Sequence, residues 1–487
     1  MSQLMKKDRT LTLGLGSSGW GPLYPAHQSS LYGAIIISHV FDSLIGVDNT
    51  GGFVPNLAKT WDINDDRTIY TFIIDTERRF SDGTKLTAEI YKDSLLHSLK
   101  LDAAASNRSA LDVLYALKGF SDYKSTGDIE GLEVIGDNIL KMHFQKPYRR
   151  AIDQLSGTRY GAYILKNDQY LGTGPYIYEN IRNDEVELGL NSYYPYPVSI
   201  KHVRIVADGP TALYKGKIDV VFTPPSAMQI NNVKPNIKRE KMSSLLAIHS
   251  IIVVNGMRGR LFSNGKLRKA AQYIVIKDYM NQQLDDRLDP FFIRSAQFYQ
   301  PLFVGHLEDS EVNEIIDDGK KYVNLLIEES KRMPIVCITR PSSNGYNYCD
   351  ALRKGGVEIE ERKLLFSEVK EVLYKNYDAD LVGYGVSYAT ADPDGLYHYL
   401  GKNGAIWSPM SSRHEVEDLI EAGRSIISAD VLDNHYRKVA RAILDEVPAI
   451  HLGSQNVYLE YNSDLVQPTD KLPAKRKALN MTLFQWR

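Results

Sequence analysis

Residues Gly51 to Leu95 read GGFVPNLAKTWDINDDRTIYTFIIDTERRFSDGTKLTAEIYKDSL. Tyr70 to Ile74 is a run of aromatic and β-branched residues between Asp and Asn clusters, which predicts a short strand. Ser81-Asp82-Gly83 predicts a tight turn, with Gly83 free to take positive φ. Thr87 stands where a helix N-cap is wanted, and Glu89 in the next turn suits the positive end of the helix dipole. The order is strand, turn, capped helix, with Pro55-x-Leu57-Ala58-x-x-Trp61 ahead of them.

A chain of 487 residues is long enough for two or three domains. Hydrophobic residues at 43% and charged residues at 24% are those of an ordinary globular protein. A net charge of −2 gives no electrostatic case for a nucleic-acid partner. The basic run Lys471 to Lys477 reads as a solvated tail. The apolar run Leu245 to Val254 is broken by His249 and Ser250 and is too short to span a bilayer. Met1 to Asp8 carries positive charge without an apolar core behind it, so the expectation is either a mature form given a new start or a cytoplasmic protein. The only cysteines, Cys337 and Cys349, exclude a disulfide-built scaffold; they read as small buried residues, with pairing as the alternative.

Along the chain, Leu11 to Leu15 alternates Thr and Leu as a strand does. Gly14-x-Gly16-x-x-Gly19 follows and matches a dinucleotide fingerprint on paper, but that site needs a helix to open at its end. Pro22 and Pro25 argue against such a helix. The apolar spacing of Ile35, Ile36, His39, Val40, Leu44 and Ile45 predicts a first helix. Glu133 to Phe144 reads as a hairpin turning at Gly136-Asp137-Asn138. Pro334 to Thr339 and Gly356 to Ile359 read as strands. Val416, Leu419, Ile420, Gly423, Ile426 and Ile427 form one helical stripe, and Tyr436, Val439, Ala440, Ile443 and Leu444 form another. Strands alternating with helices define an α/β chain.

Motifs for catalysis are missing. The sequence has no Gly-x-Ser-x-Gly elbow, no His-Glu-x-x-His and no phosphate loop. Its eleven histidines show no i, i+4 pairing that would seed a metal site. Asp392-Pro393-Asp394-Gly395 lacks the further acidic ligands of a calcium loop and reads as a turn. The expectation is no enzyme, no cofactor and no metal.

Pro55-x-Leu57-Ala58-x-x-Trp61, Tyr70-Thr71-Phe72 and Phe80-Ser81-Asp82-Gly83-Thr84-x-Leu86-Thr87-Ala88-Glu89 resemble, in order and spacing, the signature region of the extracellular solute-binding proteins that serve peptide, nickel and related ABC importers. The family usually continues with Asp-Val where this chain has Ile90-Tyr91. Leu23-Tyr24-Pro25-Ala26 resembles the family's opening, and Val40 to Leu44 the helix after it. Gly172-Thr173-Gly174-Pro175-Tyr176 resembles the turn where its chain returns from the first inserted lobe. Leu188, Asn191, Tyr193 and Tyr194, then Gly216 to Val220, Asn255 with Leu267 to Ala270, and Val447 to Ile450 extend the resemblance to about Val466.

The resemblance implies a periplasmic-binding-protein-like two-lobe α/β fold around a cleft, with an extra subdomain on the first lobe. The expected division is 1–43, 170–245 and 453–487 for lobe I, 44–169 for the extra subdomain and 246–452 for lobe II. It also implies ligand contacts at His27, Gln28 and Ser29, just after the Pro-Ala pair. Asn107 and Arg108 fall where the first lobe reaches the cleft, and Arg159 offers a fork for a carboxylate. An ordinary polar loop competes for the first three, and a surface arginine for Arg108 and Arg159.

On the second lobe the resemblance points to Leu381 to Leu400, with Tyr384, Ser387, Tyr388 and Trp407 as lining residues; Tyr397 and Tyr399 read as sheet packing. Members that hold a free peptide amine usually carry an Asp four residues before the loop's proline, where this chain has Ala389. A buried ammonium without a partner costs on the order of 3–5 kcal/mol, which counts against free-amine recognition unless Asp392 takes that role. The implied function is the substrate-binding component of an ABC importer, capturing a peptide or peptide-like solute by hinge closure. Its implied partners are the ligand and a membrane permease, its place periplasmic or cell-surface, and its state monomeric. A metal chelate, opine or oligosaccharide remains an alternative ligand, and a cytoplasmic ligand sensor an alternative role.

Overall fold

The computed structural model describes residues 9–16, 20–27, 30–48, 52–105, 111–223, 235–241, 248–282, 292–301, 303–339, 346–386, 392–401, 414–455, 458–469 and 481–487. They fall into two compact units: Met1–Pro224 with Asn232–Leu246 and Val457–Arg487, and Pro225–Asn231 with Ala247–Asn456.

The first unit begins with β1 (Thr10–Gly14), in which Leu11 and Leu13 are buried between more exposed threonines. After the glycine-rich stretch, Pro25–His27 makes one 3-10 turn, and α1 opens only at Leu31 (Leu31–Ile37). Ser30 caps it, its Oγ accepting from the Gly33 amide at 2.9 Å. The helix predicted to reach Ile45 stops at Ile37. Ser38 Oγ and His39 Nδ1 both donate to the Ile35 carbonyl at 2.7 Å, and the chain turns away. Ile45 instead opens β2 (Ile45–Val47), paired with β3 (Phe53–Pro55).

β4 (Ala58–Ile63) and β5 (Ile69–Ile74) pair antiparallel around a turn in which Asn64 Oδ1 accepts from the amides of Thr68 and Ile69 at 3.0 and 2.8 Å. The next turn closes through Phe80 N to Thr84 O, 2.9 Å, with Gly83 at φ +89°. α2 (Ala88–Ala105) starts where the cap was expected, Thr87 Oγ1 accepting from the Ile90 amide at 3.2 Å. The hairpin of β6 (Leu132–Ile135) and β7 (Ile139–His143) turns through Gly136 at φ +60° and completes a sheet of order β4-β5-β7-β6. Tyr70, Phe72, Phe80, Leu86, Tyr91, Leu140 and Met142 are fully buried in a core of its own that draws on residues from Leu44 to Ala162.

β8 (Tyr163–Lys166) and β9 (Gln169–Gly172) form a second hairpin, and the Gly-Thr-Gly-Pro turn leads into β10 (Tyr176–Ile181). Gly172 is needed for close approach, since a Cβ there would lie 2.0 Å from the Val40 carbonyl oxygen. β11 (Glu185–Leu190), β12 (His202–Val206), β13 (Val220–Thr223) and β14 (Ile237–Lys241) follow.

The second unit holds β15 (Ile248–Val254), β16 (Phe292–Arg294), β17 (Ile335–Thr339), β18 (Ile359–Lys363), β19 (Leu381–Val386) and β20 (Ala449–Gln455) in one sheet of order β16-β20-β15-β19-β17-β18. The strand predicted from Gly356 begins only at Ile359. Gly356, at φ +83°, ends the preceding helix, and Val357 N reaches back to Leu352 O at 3.0 Å. The first helical stripe ends at Gly423, leaving Ile427 exposed. The second matches helix Ala429–Glu446, with Tyr436, Val439, Ala440, Ile443 and Leu444 buried.

The chain then returns to the first unit as β21 (Tyr458–Asn462), followed by β22 (Val466–Pro468) paired with β23 (Phe484–Trp486). The first unit's main sheet has the order β10-β11-β12-β1-β13-β21-β14. Cys337 and Cys349 are both buried and unbridged. Among the described residues no helix is long and apolar enough to cross a membrane.

Candidate functional site

In open α/β sheets, ligands are met beyond the carboxyl ends of parallel strands. Each unit has such an edge. In the first, β1 runs parallel to β12 and β13, ending at Gly14, Val206 and Thr223. In the second, β17 runs parallel to β18 and β19, ending at Thr339, Lys363 and Val386.

The segment after β1 is held at both ends. Leu23, Pro25 and Ala26 are buried, the Tyr178 hydroxyl donates to the Leu23 carbonyl at 2.9 Å, and the Tyr24 ring stacks on Tyr170 at 4.4 Å. Ser30 Oγ, besides capping α1, donates to the Trp20 carbonyl at 3.1 Å. Between these anchors His27 closes the 3-10 turn. That turn packs against α2 and against the 3-10 turn Thr158–Tyr160, which carries the half-buried Arg159. Tyr160 fixes its own turn, because its hydroxyl donates to Asp112 Oδ1 (3.2 Å) and Tyr91 donates to its carbonyl (2.9 Å). His27 and Arg159, far apart in sequence, therefore sit on adjoining turns. Gln28, Ser29, Asn107 and Arg108 lie outside the described residues, as does the His27 side chain.

At the second unit's edge, Tyr384 is half-buried on β19, opposite Ile251 of β15, and packs against that unit's core. Ser387, Tyr388, Ala389 and Trp407 lie outside the described residues. Asp392 has a local job: its Oδ1 accepts from the Asp394 amide at 2.9 Å and caps the Pro393–Leu396 turn. The Asp-Pro-Asp-Gly stretch is thus a turn, as its sequence predicts. Among the described residues no group of three or more His, Cys, Asp or Glu is placed to hold a metal ion.

Each unit also holds a buried ion pair that sequence reasoning missed. In the first unit the Arg78 guanidinium bonds Asp42 and also reaches Asn56 Oδ1 and the Thr173 carbonyl, each at 3.3 Å. Burial pushes the Asp42 carboxyl up, and the Arg78 charge and hydrogen bonds pull the other way. In the second, fully buried Asp394 is met by Arg424 Nε at 3.4 Å and by the Tyr436 hydroxyl at 3.4 Å. The Arg424 guanidinium also stacks 3.7 Å over the Tyr397 ring. The only sequence signal for either pair was a charged residue inside an otherwise motif-like stretch.

Two α/β units, each with a parallel-strand edge, define a two-lobe α/β architecture. The sequence profile of the bacterial extracellular solute-binding proteins, family 5 Middle, matches residues 52–312, and the chain belongs to that family. It is 25% identical over 185 residues to the periplasmic murein peptide-binding protein MppA of Escherichia coli, a match covering 35% of this chain and 34% of that one. It is 24% identical over 242 residues to the probable D,D-dipeptide-binding periplasmic protein DdpA of the same organism, covering 46% and 42%. These matches span less than half of either relative's length. The fold resembles that of a periplasmic oligopeptide-binding protein of Borrelia burgdorferi, with TM-score 0.82 and 17% identity over 98% of this chain and 100% of that one.

Proposed function

We propose that this protein is the solute-binding component of an ABC importer, acting outside the cytoplasm as a monomer and catalysing nothing. It captures a peptide or peptide-like solute and hands it to a membrane permease. The observation that carries this reading is membership of the family 5 solute-binding proteins, on a fold that follows a known binding protein along nearly the whole chain. Peptide chemistry is supported by the names of MppA and DdpA. The first lobe with its subdomain at 44–169, and the second at 246–452, belong to the same reading. Its ligand contacts are His27, Gln28, Ser29, Asn107, Arg108 and Arg159 on one lobe, with Tyr384, Ser387, Tyr388, Asp392 and Trp407 on the other. A solute acts on such a protein only by preferring one arrangement of the lobes over another.

Native mass spectrometry of the purified protein is expected to reveal a carried peptide-sized solute, and calorimetry with di- to pentapeptides is expected to find a binder. Arg159→Ala should weaken a carboxylate-bearing binder about tenfold or more. No binding across that panel, with scattering unchanged by every peptide, would overturn the reading.

A further inference from the structure

Cys337 is the middle residue of β17, and Cys349 is the second residue of helix Tyr348–Lys354. Both are 0% exposed, and the Cys349 thiol is, after burial, among the neighbours that raise the Cys337 thiol. Hydrogen bonds beside both residues hold the two elements together. The Tyr348 hydroxyl donates to the carbonyls of Ile338 (2.7 Å) and Leu381 (3.2 Å), tying the start of the helix to the sheet. Asn347 Oδ1 accepts from the Cys349 amide at 3.0 Å. Asn347 Nδ2 and Thr339 Oγ1 converge on Glu361 Oε1 at 3.1 and 2.8 Å, tying the residue before the helix to the end of β17. The chain has no other cysteine, so neither thiol has a competing partner within it.

We propose that Cys337 and Cys349 form an intramolecular disulfide as the chain folds outside the cytoplasm, stapling β17 to the helix that follows it. The oxidising surroundings rest on the proposed function; the pairing rests on the local geometry. The oxidant is a small-molecule or protein disulfide, R–S–S–R. One cysteine thiolate attacks it, forming a mixed disulfide and releasing R–SH. The second cysteine thiolate then attacks the first cysteine's sulfur and releases the second R–SH. The two thiols give up two protons and two electrons, and the oxidant takes both. Burial holds the Cys337 thiol well above its usual range, so thiolate is scarce once the unit has closed, and the bond forms while the chain is still open.

The full chain, denatured and reduced, is refolded in a glutathione/glutathione-disulfide buffer, then denatured again and alkylated. The expected product takes up no alkyl group, is lighter than the reduced chain by two hydrogen atoms, and yields one linked peptide containing both cysteines. Its thermal midpoint lies roughly 5 °C above that of the reduced protein, because the bond closes a loop of about a dozen residues in the unfolded chain. The same glutathione disulfide added to the folded, reduced protein should form the bond at least tenfold more slowly. The double variant Cys337→Ala/Cys349→Ala should show no difference between oxidising and reducing buffers, and the reduced wild type serves as reference if that variant folds poorly. Two alkylated thiols, two glutathione adducts, or a bond that leaves the midpoint unchanged or lower would overturn the proposal. Neither ligand nor permease enters the measurement, so its failure leaves the solute-binding reading standing, and failed peptide binding leaves the disulfide test intact.

Discussion

Five strands of each unit share one plan. In the first they run β12-β1-β13-β21-β14, and in the second β18-β17-β19-β15-β20, with the same parallel and antiparallel relations at every step. The correspondence extends to single residues. Asp219, just before β13, takes the Thr12 amide on its carboxylate and returns its own amide to the Thr12 carbonyl, both at 2.9 Å. Asp380, just before β19, does the same with Val336 at the same distances. An asparagine amide from the antiparallel neighbour, Asn462 or Asn255, reaches each aspartate's carbonyl at 2.9 Å. The units differ in what is inserted. Between the first and second parallel strands, one spends everything from Leu15 to Lys201, including the Leu44–Ala162 core, while the other spends only Arg340 to Glu358. The frame is common to both units, and the difference between them lies in the segments between its strands.

The comparison can be broken most strongly at the buried ion pairs. Arg424→Met leaves Asp394, 0% exposed, with its charge uncompensated by that guanidinium, and should cost about 3–5 kcal/mol of the second unit's stability. Arg78→Met should cost less, about 2–4 kcal/mol, because the Asp42 side chain keeps 14% exposure and a Thr173 contact. Urea unfolding followed by hydrogen exchange separates the two units; equal losses in both would show that the pairs are not ranked by burial.

A second test uses acid. Each unit buries a histidine whose pKa is lowered from 6.5 to about 4 by desolvation. His39 donates to the Ile35 carbonyl and accepts the Met481 amide at 3.1 Å, an acceptor role that protonation would abolish. His451 lies between the Ser295 carbonyl and His249, at 2.8 and 2.9 Å. Folding disfavours the charged ring, so this stability is fully present above about pH 6.5 and is lost as pH falls toward about 4. The loss should approach about 3 kcal/mol per histidine at pH 4. Unfolding midpoints from pH 7.5 to 4 in wild type, His39→Asn and His451→Asn check it; a slope that neither substitution flattens would assign the acid sensitivity elsewhere.

The smallest effect sharpens the repeat itself. Asp380→Ala orphans the Val336 amide in a site 4% exposed and should cost about 2–3 kcal/mol, whereas Asp219→Ala, at a more open position, should cost about 1–2 kcal/mol. Melting curves of the two variants with equal losses would deny that ranking.

Local chemistry carried much of the fold into the sequence. The strand at Tyr70, the turn at Gly83, the cap at Thr87 and the stripe from Tyr436 to Leu444 depend on residues a few positions apart, and the structure keeps them. Where local pattern misled, a short-range bond or a backbone conformation decided. Ser38 and His39 ended α1 by bonding Ile35, and the left-handed Gly356 delayed a strand. The candidate site was less legible. Asp392 caps its own turn and Tyr384 lies half-buried against a core, contacts that pattern along the chain does not announce.

The sequence by itself determined the class of elements, the absence of catalytic motifs and the family resemblance, because these rest on periodicity, turn chemistry and spacing along the chain. Only the tertiary structure decided that Asp42 meets Arg78, that Asp394 meets Arg424, that His39 meets Met481 and that the helix of Cys349 is tied to the strand of Cys337. Each of these contacts needs several elements packed in one register, and no short-range pattern encodes such a register.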